Sequence, residues 1–179
     1  QTNQKDIFTA IFSEDGLSYS EKTPLGFPVD RDEIAWGVPD AVLIPNGLVR
    51  VYWTYTEDKT SDEKLISATS KTTKGIDFVM DPGYRLENGY VDFEVIKAEE
   101  GDWKALMSYT PHYMPEIPQS LFYATSKDGL DWDLIEERIT PKGYTYFDPT
   151  GIPIDEKNYL IVGSAAPNVM GAREHLLFT

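Results

Sequence analysis

Four carboxylates stand where the chain repeats itself: Asp40, Asp92 and Asp148, with Glu94 two residues beyond Asp92. The segments around them are Pro39-Asp40-Ala41-Val42-Leu43-Ile44, Val91-Asp92-Phe93-Glu94-Val95-Ile96 and Phe147-Asp148-Pro149-Thr150-Gly151-Ile152, and laid over one another each has its Asp second. Residues two apart in a strand share a side, so Asp92 and Glu94 are expected to face one cleft. Carboxylates crowded into a cleft repel, and at least one then keeps its proton to a higher pH. A proton-holding carboxyl beside an ionised one is the equipment of acid–base chemistry. The competing role for each Asp is to cap a strand start by accepting backbone N–H bonds, recurring because the unit recurs. For Asp40 taken alone that structural role leads.

Other chemistries are poorly supplied. The sequence has no cysteine, which removes disulfides, zinc–thiolate sites and thiol nucleophiles. His112 and His175 are the only histidines, and zinc is not expected. No cofactor is expected either, although abundant oxygen ligands leave room for a structural calcium or sodium ion. Arg31, Arg50, Arg85, Arg138 and Arg173 fall at no shared place in the repeat, so no carboxylate-clamping trio emerges. A formal charge of −14 repels phosphate backbones and anionic lipid, so neither nucleic acid nor membrane is an expected partner.

The elements that must position these side chains are strands. Gly and Pro punctuate the chain, aromatic residues make up 13% of it, and no long stretch shows helical apolar spacing. A Ser-x-Asp-Gly signature occurs as Ser13-Glu14-Asp15-Gly16 and Ser126-Lys127-Asp128-Gly129, with a looser copy opening at Ser70. That spacing of about 56 residues suits four short strands with their turns, which is one β-propeller blade. Within each unit an inner strand starting near the Asp leads through a tight turn to a second strand: Val51 to Thr56, Ala105 to Thr110 or Leu160 to Ala165. A third strand follows, over Lys64 to Ser70, Leu121 to Ser126 or His175 to Thr179, and then the signature turn and an outer strand. The expected fold is all-β, a propeller of four-stranded blades with about three blades, forming one domain over residues 1–179. Asp15 and Asp128 are assigned to tight turns and Tyr19, Phe78 and Trp132 to outer-strand packing, away from any site.

The alternation of strand-opening Asp, turn, apolar strand and Ala124-Thr125-Ser126-Lys127-Asp128-Gly129-Leu130-Asp131-Trp132 resembles the five-bladed propeller glycoside hydrolases, such as families 43 and 32 and the mannoside phosphorylases. The sialidase Asp-box is similar but has one more residue between Asp and Gly. The resemblance implies an enzyme that cleaves neutral poly- or oligosaccharide in a central funnel, using two carboxylates drawn from Asp148, Asp92, Glu94 and Asp40. Glu94 would be the general acid. Phe147-Asp148-Pro149 is similar to the Asp-Pro pair of the invertase-like enzymes, whereas family 43 carries a Glu in its third catalytic blade, where this chain has Asp148. Trp36, Tyr90, Tyr109, Tyr113 and Tyr146 fall near inner-strand ends and would stack on sugar rings, with packing between blades as the alternative. The second functional class that fits is a propeller binding a glycan or a protein without turnover. A secreted or periplasmic location accompanies the resemblance, and Gln1 in first place suggests that an N-terminal piece has been removed.

The repeat does not close. The chain opens on a third and fourth strand, Ile7 to Phe12 and Leu17 to Glu21, and ends where another signature would begin. It is therefore expected to be a piece of a longer propeller or to complete a ring by self-association.

Overall fold

The structure is a computed structural model. It describes residues 8–20, 22–25, 37–56, 62–109, 119–135, 137–139, 143–167 and 176–178. Among these no helix occurs. In chain order the strands are β1 (Phe8–Thr9), β2 (Thr23–Pro24), β3 (Asp40–Leu43), β4 (Val49–Tyr55), β5 (Lys64–Ser70), β6 (Phe78–Met80), β7 (Tyr90–Glu99), β8 (Asp102–Tyr109), β9 (Ser120–Ser126), β10 (Trp132–Ile135), β11 (Tyr144–Pro153), β12 (Tyr159–Pro167) and β13 (Leu176–Phe178).

Antiparallel pairing of sequence neighbours groups them into blades. β3-β4-β5-β6 is the first, β7-β8-β9-β10 the second and β11-β12-β13 the third, here with three strands. This is the expected all-β, four-stranded propeller architecture. The N-terminal segment departs from expectation. Instead of a long strand pair over Ile7 to Glu21 it forms the short β1–β2 pair and a single bridge between Phe12 and Tyr19, closed by its own signature turn.

That turn is built by side chains. In the second blade the Ser126 hydroxyl accepts Gly129 N at 2.9 Å, and Asp128 Oδ1 accepts the N–H groups of Leu130 at 2.8 Å and Asp131 at 3.1 Å. Burial opposes the charge on Asp128, but the donors of Leu130, Asp131 and Ser126 outweigh it and hold its carboxyl below the usual range. Gly129 supplies the left-handed φ of 74° that the reversal needs. The N-terminal copy repeats the geometry, with Asp15 Oδ1 accepting the Ser13 hydroxyl at 2.5 Å and Leu17 N at 3.0 Å.

The first blade grips the second blade's signature turn. Arg50 Nη1 donates to Asp128 O at 2.7 Å, the Tyr52 hydroxyl to Gly129 O at 2.8 Å, and Arg85 Nη1 to Leu130 O at 2.8 Å. Arg50 is buried with its counter-ion Asp81, 3.3 Å away, and Asp81 also accepts from Ser67 and Thr69. Around this polar seam pack Tyr52, Leu65, Phe93, Ala105, Met107 and Ala124, with Trp132 edge-on to Phe93 at 5.1 Å between ring centres. Full burial of a large apolar side chain contributes about 1.5–3 kcal/mol, so this cluster is the main weld between the two blades. A smaller one, Leu121, Tyr146 and Ala165, joins the second to the third.

Gly129 tests the seam. A Cβ there would lie 2.6 Å from the Trp103 ring and 2.7 Å from the Tyr52 hydroxyl, whereas at Gly16, with a similar φ of 69°, nothing lies within 4 Å. Gly16→Ala is expected to cost about 1–2 kcal/mol for the backbone alone. Gly129→Ala is expected to cost about 1–3 kcal/mol more through overpacking. Urea unfolding of both variants measures the difference, and equal losses would show that the seam does not depend on this close approach.

Candidate active site

Inner strands converge where the carboxylates lie. β7 packs against β3 on one side and β11 on the other, so the starts of all three come together at one end of the blades. In β7 and β11 the ladder slips, between Val91 and Glu94 and between Phe147 and Thr150. At each slip sits an Asp with left-handed backbone, Asp92 at φ 51° and Asp148 at φ 49°. Such a conformation costs a non-glycine residue about 1–3 kcal/mol and clusters at functional positions, and a bulge re-aims the side chain it carries.

The carboxylates reach from each blade to the next. Asp40 Oδ2 accepts Val95 N at 2.9 Å, Asp92 Oδ2 accepts Asp148 N at 3.4 Å, and Glu94 Oε1 accepts the Thr150 hydroxyl at 3.0 Å. Asp92 and Glu94 thus both point at the third blade. Because Asp92 touches the backbone of Asp148, the two carboxyl groups fall well inside the roughly 10 Å that inverting glycosidases span. Asp148 is exposed, whereas Asp92, Glu94 and Asp40 are half-buried.

Burial is also what sets the protonation. It pushes Asp92 above the usual carboxylate range; the Ser108 hydroxyl and the Asp148 N–H pull it partly back, and the charge of Asp148 raises it again. For Asp40, burial raises the pKa from 3.8 to about 6, against the hydrogen bond from Val95 N and with help from the charge of Glu94.

The strand register corrects one part of the sequence reading. Asp40 does not occupy the place of Asp92 and Asp148. It pairs with Tyr52 as Glu94 pairs with Leu106 and Thr150 with Val162, so its equivalents are Glu94 and Thr150. The bulge position of the first blade is Val38, beside Gly37, whose N–H bonds Thr54 O. Overlaying the segments by residue identity matches Asp to Asp. The signal that gives the true register is proline: matching Pro39 to Pro149 places Asp40 on Thr150 and Val38 on Asp148.

Of the aromatic candidates, Trp36 and Tyr113 lie outside the described residues, as do His112 and His175. Tyr90 and Tyr109 stack at 5.0 Å between centres, with Phe122 edge-on to both. Tyr146 is buried against Leu121 and Ala165. Of these, only the Tyr146 ring is buried; Tyr90 and Tyr109 are half-buried. Among residues the sequence reading missed, Ser108 is fully buried beside Asp92, Thr150 meets Glu94, and Arg50 and Arg85 bind the signature turn. Nothing in the composition marks these out: Thr150, Arg50 and Arg85 owe their roles to a neighbouring blade, and Ser108 owes its own to the strand beside Asp92 in the same blade.

No family model matches the sequence, and no curated protein matches it. Solved structures do share the fold. One is a protein assigned as a glycoside hydrolase from Parabacteroides distasonis, at 17% identity and TM-score 0.51, covering 90% of this chain and 50% of that one. A family 117 glycoside hydrolase of Zobellia galactanivorans aligns at 12% identity and TM-score 0.53, covering 93% and 59%. A third comes from work on the mannoside phosphorylase family GH130, described as containing glycoside hydrolases that target β-1,2 mannosidic linkages in Candida mannan, at 16% identity and TM-score 0.51, covering 83% and 51%. The chain therefore shares its fold with these glycoside hydrolases and spans about half their length.

Asp40 gives a pH test. Between about pH 4 and 6 the folded state keeps a proton that the unfolded state releases, so stability falls as pH rises through that window and the loss is complete above it. At about 1.4 kcal/mol per pH unit, the loss approaches about 3 kcal/mol. Asp40→Asn keeps an oxygen acceptor for Val95 N and carries no charge. It is expected to flatten this part of the curve and to be more stable than the parent at pH 7. Urea unfolding from pH 4 to 8 measures both, and a variant curve parallel to the parent's would assign the slope elsewhere.

Proposed function

We propose that this protein is a glycan-active propeller that hydrolyses glycosidic bonds in neutral poly- or oligosaccharide. The observation that carries the reading is the juxtaposition of Asp92 and Asp148, on adjacent inner strands, each on strained backbone at a bulge. The half-buried Asp92 holds its proton above the usual range and would give it to the leaving oxygen. Exposed Asp148 would serve as base or nucleophile, its ionised form being the one that raises Asp92. Glu94 and Asp40 extend the acidic surface, and Asp40, tied to Val95 N, positions β7 against β3. The shared fold of glycoside hydrolases supports the substrate class and leaves the sugar, the linkage and the particular family open.

A second reading, glycan or protein binding without turnover, is favoured by a specific fact: Asp40, Asp92 and Glu94 each already accept a hydrogen bond from the next blade. Aryl-glycosides of arabinose, xylose, galactose, mannose and fructose separate the two. On whichever is cleaved, Asp148→Asn and Asp92→Asn are each expected to lower kcat/KM by about 10²-fold or more. Asn tolerates the left-handed backbone, so the fold should persist. Binding on a glycan array with no hydrolysis of any substrate would decide for the binding module.

A further inference from the structure

The bulge of β7 sets two residues, Asp92 and Phe93, against one on β8, Met107, because the ladder passes from Val91 opposite Ser108 to Glu94 opposite Leu106. A residue at a bulge leaves the strand's alternation, so the aim of Asp92 is set by the groups around it rather than by the ladder. Two groups reach it. Asp148 N donates to Oδ2 from the next blade at 3.4 Å, and the Ser108 hydroxyl acts on the carboxyl from within the blade. Ser108 is fully buried and its Oγ has no other partner in close hydrogen-bonding geometry, which leaves Asp92 as the acceptor it serves. A buried hydroxyl with nothing else to bond is costly to keep, and a role at a site accounts for it.

The placement repeats. Ser164 stands opposite Phe147, the residue before Asp148, as Ser108 stands opposite Val91, the residue before Asp92. In the first blade the same register position is Thr54, two beyond Tyr52, the partner of Asp40. Val38 holds the bulge position there, and the Thr54 side chain lies against Gly37, where an added Cβ would come 2.6 Å from the Thr54 Cβ. Each blade thus places a hydroxyl residue opposite the bulge, and in the second it is sealed from water beside a half-buried carboxyl.

We infer that Ser108 is a positioning residue for Asp92, its buried hydroxyl holding the carboxyl in one orientation and donating to the carboxylate once the proton has passed to the leaving oxygen. This rests on the reading of Asp92 as the acid. A serine hydroxyl both accepts and donates, so it serves the protonated acid and the carboxylate in turn. Bonding to the carboxylate favours proton release, against the burial and the Asp148 charge that oppose it. Of the strands packed against β7, β11 faces Asp92 with Asp148 and β8 with Ser108; Glu94 on β7 and Asp40 on β3 are the other carboxylates at this end.

Carboxyl-carbon NMR titration of Asp92, its signal assigned by loss in Asp92→Asn, reads the contact without any substrate. Ser108→Ala is expected to move the Asp92 midpoint up by about one pH unit, and Ser108→Thr, the residue that the first blade uses, to restore it. In an Asp148→Asn background, free of the neighbouring charge, the same upward move is expected. Should Ser108→Ala fail to fold, Ser108→Cys is close in size and a weak donor, and is expected to move the midpoint the same way. On a cleaved aryl-glycoside, Ser108→Ala should lower kcat about 10-fold with KM unchanged, and the fall in activity at high pH should begin about one unit later. A folded Ala or Cys variant that keeps the parental midpoint would overturn the inference, even with hydrolysis established. A shifted midpoint with no glycoside cleaved would support Ser108 as the residue that positions Asp92 and count against the hydrolase reading instead.

Discussion

The structure hangs on one contact between blades: three side chains of the first blade holding the carbonyls of a turn in the second. Arg50, Tyr52 and Arg85 each donate to a consecutive backbone oxygen of Asp128, Gly129 and Leu130. Donors from buried Arg are charge-assisted and strong, but only while the guanidinium is itself paired. Asp81 provides that pairing for Arg50, braced by Ser67 and Thr69. Once the turn is held, Phe93 and Trp132 meet Tyr52, and the inner strands are fixed side by side.

Fixing the inner strands is what brings the carboxylates together. Asp92 and Asp148 belong to units about 56 residues apart in sequence, yet the oxygen of one touches the backbone of the other. Their left-handed conformations are unfavourable locally and are held by the ladders on either side of each bulge. Burial likewise raises Asp92 and Asp40, whose carboxylates each reach to the next blade. Packing elsewhere thus sustains both the strain and the protonation at this end of the sheets.

The same logic explains why the hydrogen bonds of Asp40 and Glu94 fit two roles. A carboxylate that accepts one bond from the next blade is oriented by it and still has lone pairs to spare. Thr150, opposite Glu94, completes this chain of contacts across the blade boundary, and Ser108 is buried beside Asp92 within the same blade.

The sequence by itself determined the architecture and where the repeated carboxylates of the candidate site fall. Ser126, Asp128 and Gly129 specify their turn through bonds spanning two or three residues, so spacing alone reveals the blade, and strand β5 falls on Lys64–Ser70 as the pattern predicts. Asp92 and Asp148 were legible because they recur with the unit. Register was not: a bulge inserts a residue without changing residue types, so Asp40 aligned with Asp148 by identity while the ladder pairs it as Thr150. Only the tertiary structure decided that Tyr146 is core, that Arg50 and Arg85 serve a turn in the next blade, and that Ile152 is open where Ile96 is closed. The physical reason is range, since turns are local hydrogen-bond problems, whereas burial and side-chain partnership depend on which blade lies alongside.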